Sequence, residues 1–133
     1  MRDRGSVILI ENNKVALIKR TREDTVYYVF PGGGIEEGET PEMGAVREAS
    51  EELGVRVQLN ELLATVFYNG TQYFFLADIL EGTFGTGEGE EFHNELRGSY
   101  LPIWVDIEDL PNLDVKPDEV SLKVQARFID QEL

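Results

Sequence analysis

Gly33-Gly34-Ile35-Glu36-Glu37-Gly38-Glu39-Thr40-Pro41-Glu42-Met43-Gly44-Ala45-Val46-Arg47-Glu48-Ala49-Ser50-Glu51-Glu52-Leu53-Gly54-Val55 is where the chain changes from glycine turn to helix. Thr40 is a good N-cap, Pro41 suits the first helical position, and acidic Glu42 falls in the first turn. Gly54 supplies the stop, so a helix is expected over residues 41–53. At about 100° per residue, Ala45, Val46, Ala49 and Leu53 gather on one side. Glu48, Glu51 and Glu52 form a second stripe beside them.

Like charges three and four residues apart each cost a helix a few tenths of a kcal/mol. A solvated face could carry such glutamates, yet solubility is better served by interleaved lysines, and none stands among them. Oxygen ligands on a rigid element are what a hard divalent cation requires. Such an ion, held by a few carboxylates and substrate phosphates, suits polyphosphate hydrolysis: it offsets charge on the bridging oxygens and activates a water. Arg47 lies one turn before Glu51 and can brace its carboxylate, while Glu39 can pair with the same guanidinium. Gly32, Gly33 and Gly34 can adopt conformations closed to other residues, letting main chain approach a ligand. No Lys-Ser/Thr follows them, and their spacing is not a dinucleotide fingerprint.

Gly33, five residues to Glu39, seven more to Arg47-Glu48-Ala49-Ser50-Glu51-Glu52-Leu53-Gly54-Val55: this spacing resembles the Nudix box. Ala49 is smaller than the usual aliphatic, a departure bearing on packing rather than chemistry. Phe30-Pro31-Gly32 also resembles the family's lead-in. The resemblance is specific over residues 30–55. It implies an α/β/α sandwich with a mixed β-sheet, a single domain over residues 1–133, and water attacking one phosphorus of a nucleoside diphosphate linked to another group. It further implies that Glu48, Glu51 and Glu52 bind Mg²⁺ or Mn²⁺, with Gly33 contributing a carbonyl and Glu39 with Arg47 as orienting pair. Family members often recruit a carboxylate from a later loop; Glu88, Glu90, Glu91 and Glu95 are available, with Glu91 preferred. The general base could equally be Glu51 or Glu52.

Outward from the box, residues 6–10 and 15–20 are β-branched and apolar around a polar turn, and residues 26–30 make a third strand. Residues 55–59, 63–68 and 72–80 are strand-like, with Asn69-Gly70 as a hairpin turn. Residues 82–91 are a glycine-rich acidic loop. Residues 100–105 form a strand that Pro102 assigns to an edge or a bulge, and residues 107–110 a short turn. Val120, Val124 and Phe128 at four-residue spacing suggest a closing helix from Asp118 to about Asp130. Lys19, Arg20 and Arg22 stand out in so acidic a chain. Arg20 and Arg22, with Gly32 to Gly34, are candidate phosphate contacts, although an edge-strand charge guard explains them as well. His93, the single histidine, carries no expected role.

With 133 residues, 41% of them hydrophobic, the chain fits one domain with a real core. A net charge of −14 repels a phosphate backbone, so no nucleic-acid partner is expected, while a small nucleotide remains admissible if a cation bridges the two. No membrane span or secretory segment is evident, which makes a cytoplasmic address the expectation. The absence of cysteine excludes disulfides, thiolate metal sites and a thiol nucleophile. A compact domain favours a nucleoside triphosphate substrate slightly over ADP-ribose or a nucleotide sugar. A non-catalytic nucleotide-binding module is the alternative of another class, and a homodimer is left open.

Overall fold

The computed structural model describes residues 2–87, 93–94 and 98–129. In chain order the elements are β1 (Arg4–Glu11), β2 (Lys14–Arg22), β3 (Thr25–Val29), β4 (Gly32–Gly34), α1 (Pro41–Leu53), β5 (Val55–Phe67) and β6 (Thr71–Gly82). They continue with β7 (His93–Asn94), β8 (Gly98–Asp106), a 3-10 turn (Ile107–Asn112), β9 (Val115–Lys116) and α2 (Asp118–Phe128). These fall into two compact units, residues 1–10 with 31–89 and residues 11–30 with 90–133.

The first unit is a mixed sheet with α1 against it. β1 runs parallel to β6, from Arg4 opposite Gln72 to Leu9 opposite Ala77, and antiparallel to β4. β5 pairs antiparallel with β6. Ala45, Ala49 and Leu53, four apart, are wholly buried, as are Val7 and Ile8. Val46, expected on that face, is only half-buried, and Gly44 takes its place. Gly44 lies against Ile35, whose Cγ1 would stand 3.2 Å from a Cβ there, while a Cβ on Gly5 of β1 would lie 2.7 Å from the Pro41 carbonyl oxygen and 2.9 Å from the Ala45 nitrogen. Backbone therefore meets backbone where α1 crosses β1.

Two further expectations change in this unit. Residues 55–59 and 63–68 are one strand, because register shifts at Arg56/Val57, Leu59/Glu61 and Leu62/Ala64 move the alternation between faces without ending the ladder. Gly32 to Gly34 are also strand rather than turn, pairing with Ser6, Gly5 and Arg4, and none has a positive φ. Their lack of side chains matters for space, not for torsion.

In the second unit, β2 pairs antiparallel with β3 and β8, β3 pairs parallel with β9, and β7 pairs with β8. Pro102 faces Ile18 of β2, and among the described residues no other strand pairs with it, which makes it an edge position. α2 buries Val120 and Val124, and ends its described helix at Phe128. Asp130 lies outside the described residues.

Candidate active site on the glutamate helix

The helix carrying the glutamates is capped as its sequence dictates. Thr40 Oγ1 accepts a hydrogen bond from the Met43 N–H at 3.1 Å, and Gly54 closes the other end at φ 78° with its N–H donating to the Ser50 carbonyl. Helical spacing then places Glu48 and Glu52 facing β4, beside the buried Ala45–Ala49–Leu53 row.

Arg47 is the organising cation. Its Nε donates to Glu39 Oε2 at 2.8 Å and its Nη2 to Glu39 Oε1 at 3.1 Å, a two-pronged pair. Nη2 also donates to the Gly34 carbonyl at 2.8 Å, while Nη1 reaches Glu48 Oε2 at 3.1 Å and Glu51 Oε1 at 3.0 Å. One guanidinium thus ties the turn at Glu39, the glycine strand and two helix carboxylates together. Hydrogen bonding to Arg47, helped by the Glu36 N–H at 2.8 Å, holds the Glu39 carboxyl below the usual range. The same bonds push the Arg47 guanidinium still further from deprotonation.

The three glutamates differ in environment. Glu51 is exposed at 52%, whereas Glu48 retains 16%. Glu48 lies so close to the glycine strand that a Cβ on Gly33 would collide with its carboxylate. Glu52 Oε1 accepts from the Gly32 N–H at 2.7 Å. Burial raises the pKa of Glu48, against the pull of Arg47. Burial also raises Glu52 to about 8; the Gly32 N–H opposes this, and the charge of Glu48 adds to it.

These carboxylates suit a divalent cation. Glu48 and Glu52 are shielded from water, repel one another, and share too little positive charge to be at ease when ionised. Among the described residues no three carboxylate or imidazole groups are drawn around one point. Arg47 Nη1 takes Glu48 and Glu51, while Glu52 turns to Gly32. All three remain within electrostatic reach, since Glu48 and Glu51 both raise Glu52. The donor set is hard oxygen throughout, of the kind Mg²⁺ and Mn²⁺ take.

The loop after β6 comes to the end of this helix. The Gly85 N–H donates to the Leu53 carbonyl at 2.9 Å, and a Cβ on Gly87 would stand 2.6 Å from the Glu51 carbonyl oxygen. Glu88, Glu90, Glu91 and Glu95 lie outside the described residues, and of His93 only the backbone is described.

Arg20 and Arg22 belong to the second unit. Arg20 stands between its cross-strand neighbours, with its guanidinium carbon 3.8 Å from the Tyr100 ring centroid and 5.6 Å from that of Tyr27. Its Nε is buried without a hydrogen-bond partner among the described residues. Arg22 is exposed at the end of β2.

Arg2 and Arg4 were not singled out from the sequence, yet both lie on the glycine strand. Arg2 Nε donates to the Ile35 carbonyl at 3.2 Å and Arg4 Nη2 to the Gly32 carbonyl at 3.4 Å. A signal was present: two cations at strand spacing ahead of an apolar run, in a chain this acidic.

The chain is 35% identical over 91 residues to the 8-oxo-dGTP diphosphatase of Escherichia coli (strain K12), a match covering 63% of this chain and 70% of that protein. It is 43% identical over 58 residues to the RNA pyrophosphohydrolase of Psychromonas ingrahamii (strain DSM 17664 / CCUG 51855 / 37), covering 44% of this chain and 32% of that one. The chain spans from 32% to 70% of the length of the curated relatives it matches. A crystal structure of a NUDIX hydrolase from Nitrosomonas europaea shares the fold, with a TM-score of 0.73 at 22% identity over 98% of this chain and 72% of that one. Residues 1–124 match the NUDIX domain, and the chain belongs to the Nudix family of hydrolases.

Proposed function

We propose that this chain, as one domain over residues 1–133, hydrolyses a phosphoanhydride bond in a nucleoside diphosphate linked to another group, with a divalent cation. Half-buried Glu48 and Glu52, facing the glycine strand without enough positive charge to balance them, carry this reading. The family acts on nucleotide derivatives and generally uses divalent ions. Glu48, Glu51 and Glu52 would hold Mg²⁺ or Mn²⁺, with the Gly33 carbonyl as a further ligand. The ion would offset phosphate charge and lower the proton affinity of a water. Arg47 orients the Glu48 and Glu51 carboxylates through its hydrogen bonds, and Glu39 fixes Arg47.

In the reaction the oxygen of water bonds to one phosphorus and the bridging P–O bond breaks. The water's proton passes to Glu51 or Glu52, and the leaving phosphate departs with the bridging oxygen. Glu91 is a further candidate ligand by family resemblance. We assign Arg20 and Arg22 to contacts with the nucleotide, Arg20 on the strength of its Nε, which has no hydrogen-bond partner among the described residues. A nucleoside triphosphate is the substrate class we favour. The relative named for 8-oxo-dGTP supports it, and the −14 charge favours a small nucleotide over RNA. No helix among the described residues is long and apolar enough to cross a membrane. A cytoplasmic address is part of the proposal.

The test is a panel of nucleoside triphosphates, ADP-ribose, nucleotide sugars and dinucleoside polyphosphates with Mg²⁺ or with EDTA, products identified by mass spectrometry. Mg²⁺-dependent release of a nucleoside monophosphate and pyrophosphate from a triphosphate supports the reading. Binding of these compounds without turnover would make the chain a nucleotide-binding module instead.

A further inference from the structure

We propose that Arg2 and Arg4 form a clamp for the phosphate chain of the substrate, a role that rests on the hydrolase reading above. The two side chains reach the glycine strand from Arg4, the first residue of β1, and from Arg2 two residues before it, while Asp3 between them turns away. Asp3 Oδ1 accepts from the Thr71 N–H at 2.9 Å on the β6 side. Asp3 also gives its carbonyl to the Ile35 N–H at 2.9 Å, fixing the backbone between the two arginines.

Arg2 rests on Gly34. A Cβ at that position would lie 2.6 Å from the Arg2 Cζ and Nε and 2.8 Å from Nη1, so the guanidinium fills the space a side chain would need. Among the described residues each arginine is held by a single carbonyl hydrogen bond, at Ile35 for Arg2 and Gly32 for Arg4. Among the described residues neither has a carboxylate within salt-bridge distance, although the chain has 26 acidic residues against 12 basic ones. Both are exposed. Both border the site: Gly32 gives its N–H to Glu52 and its carbonyl to Arg4, and Gly34, on which Arg2 rests, gives its carbonyl to Arg47.

Two guanidinium groups that remain free of carboxylates beside a carboxylate cluster suit an anion arriving with a cation. A diphosphate bridged to the glutamates by a divalent ion has oxygens left over, and planar guanidinium donors match them in pairs. The ligand class is therefore the di- or triphosphate moiety itself, independent of the base.

The probe is imidodiphosphate, a non-hydrolysable pyrophosphate analogue, titrated calorimetrically into the full chain loaded with Mn²⁺. We expect R2A and R4A each to weaken binding about tenfold and R2A/R4A on the order of a hundredfold. R2K/R4K should recover part of the loss. Gly34→Ala should behave like R2A, because it displaces the guanidinium while keeping its charge. Affinity for Mn²⁺ alone should stay within about twofold. Imidodiphosphate affinity within twofold of wild type in R2A/R4A overturns the clamp. A parallel loss of Mn²⁺ affinity also overturns it, since the arginines would then be serving the carboxylates. Arginine-dependent anion binding by a protein that turns over none of the nucleotide panel supports the clamp and removes the hydrolase reading. Unimpaired turnover by R2A/R4A does the reverse.

Discussion

Glu52→Gln should make the cation-free protein less sensitive to alkaline pH. In the fold, burial raises the Glu52 pKa from 4.5 to about 8. A carboxyl whose pKa is raised by folding stabilises fully below its unfolded value, and that contribution is lost as pH rises through the folded value. The window is therefore about pH 4.5 to 8. At about 1.4 kcal/mol per tenfold change in proton affinity, the ceiling is roughly 4–5 kcal/mol. Glu52 keeps some contact with solvent, and about half of that, on the order of 2 kcal/mol, is the expected loss. For a chain of 133 residues this is roughly 7 °C in Tm. Gln keeps an oxygen to accept from the Gly32 N–H but never ionises. Differential scanning calorimetry in EDTA between pH 5 and pH 8 should show wild type losing about 7 °C more than Glu52→Gln. Saturating Mg²⁺ should return that stability to wild type at pH 8 and not to the variant. Parallel pH profiles for the two proteins in EDTA would refute the buried-charge argument.

Arg47→Lys should cost about 2 kcal/mol in denaturant unfolding, because one ammonium cannot hold Glu39, Gly34, Glu48 and Glu51 together. The depressed Glu39 pKa stabilises wild type above the ordinary carboxylate range and is lost as pH falls through it, so this acid-side slope should flatten in the variant. Gly5→Ala should destabilise by about 1–3 kcal/mol, since its Cβ would press on the Pro41 carbonyl and the Ala45 amide, neither of which can rotate away. An unchanged midpoint for Gly5→Ala would mean that α1 does not rest on β1 as described.

What was legible in the sequence was mostly local. Thr40, Pro41 and Gly54 act on their own backbone neighbours, so α1 runs from Pro41 to Leu53 as its caps require. The box spacing gave the identities of Glu48, Glu51 and Glu52, and Glu39, just ahead of the helix, pairs with Arg47 eight residues on. Features set by distant chain were hidden. Gly32 to Gly34 look like a turn until β1 is seen to need them as a strand partner. Val46 fits the helical apolar stripe but yields the buried position to Gly44. The break at residues 60–62 reads as a loop because bulges disrupt alternation just as a strand end does. Arg2 and Arg4 escaped notice because exposed charge ahead of a strand is ordinary until its neighbours are known.

Turnover by Glu52→Gln, measured beside wild type at pH 8 with saturating Mg²⁺ on whichever nucleotide the panel selects, tests the carboxylate site most directly. Loss of one oxygen ligand that stabilises transition-state charge should remove about 4 kcal/mol, a fall in kcat on the order of a thousandfold, with the circular dichroism spectrum unchanged. A kcat within a few-fold of wild type would contradict the account, because the buried carboxylate at Gly32 would then have no part in the chemistry.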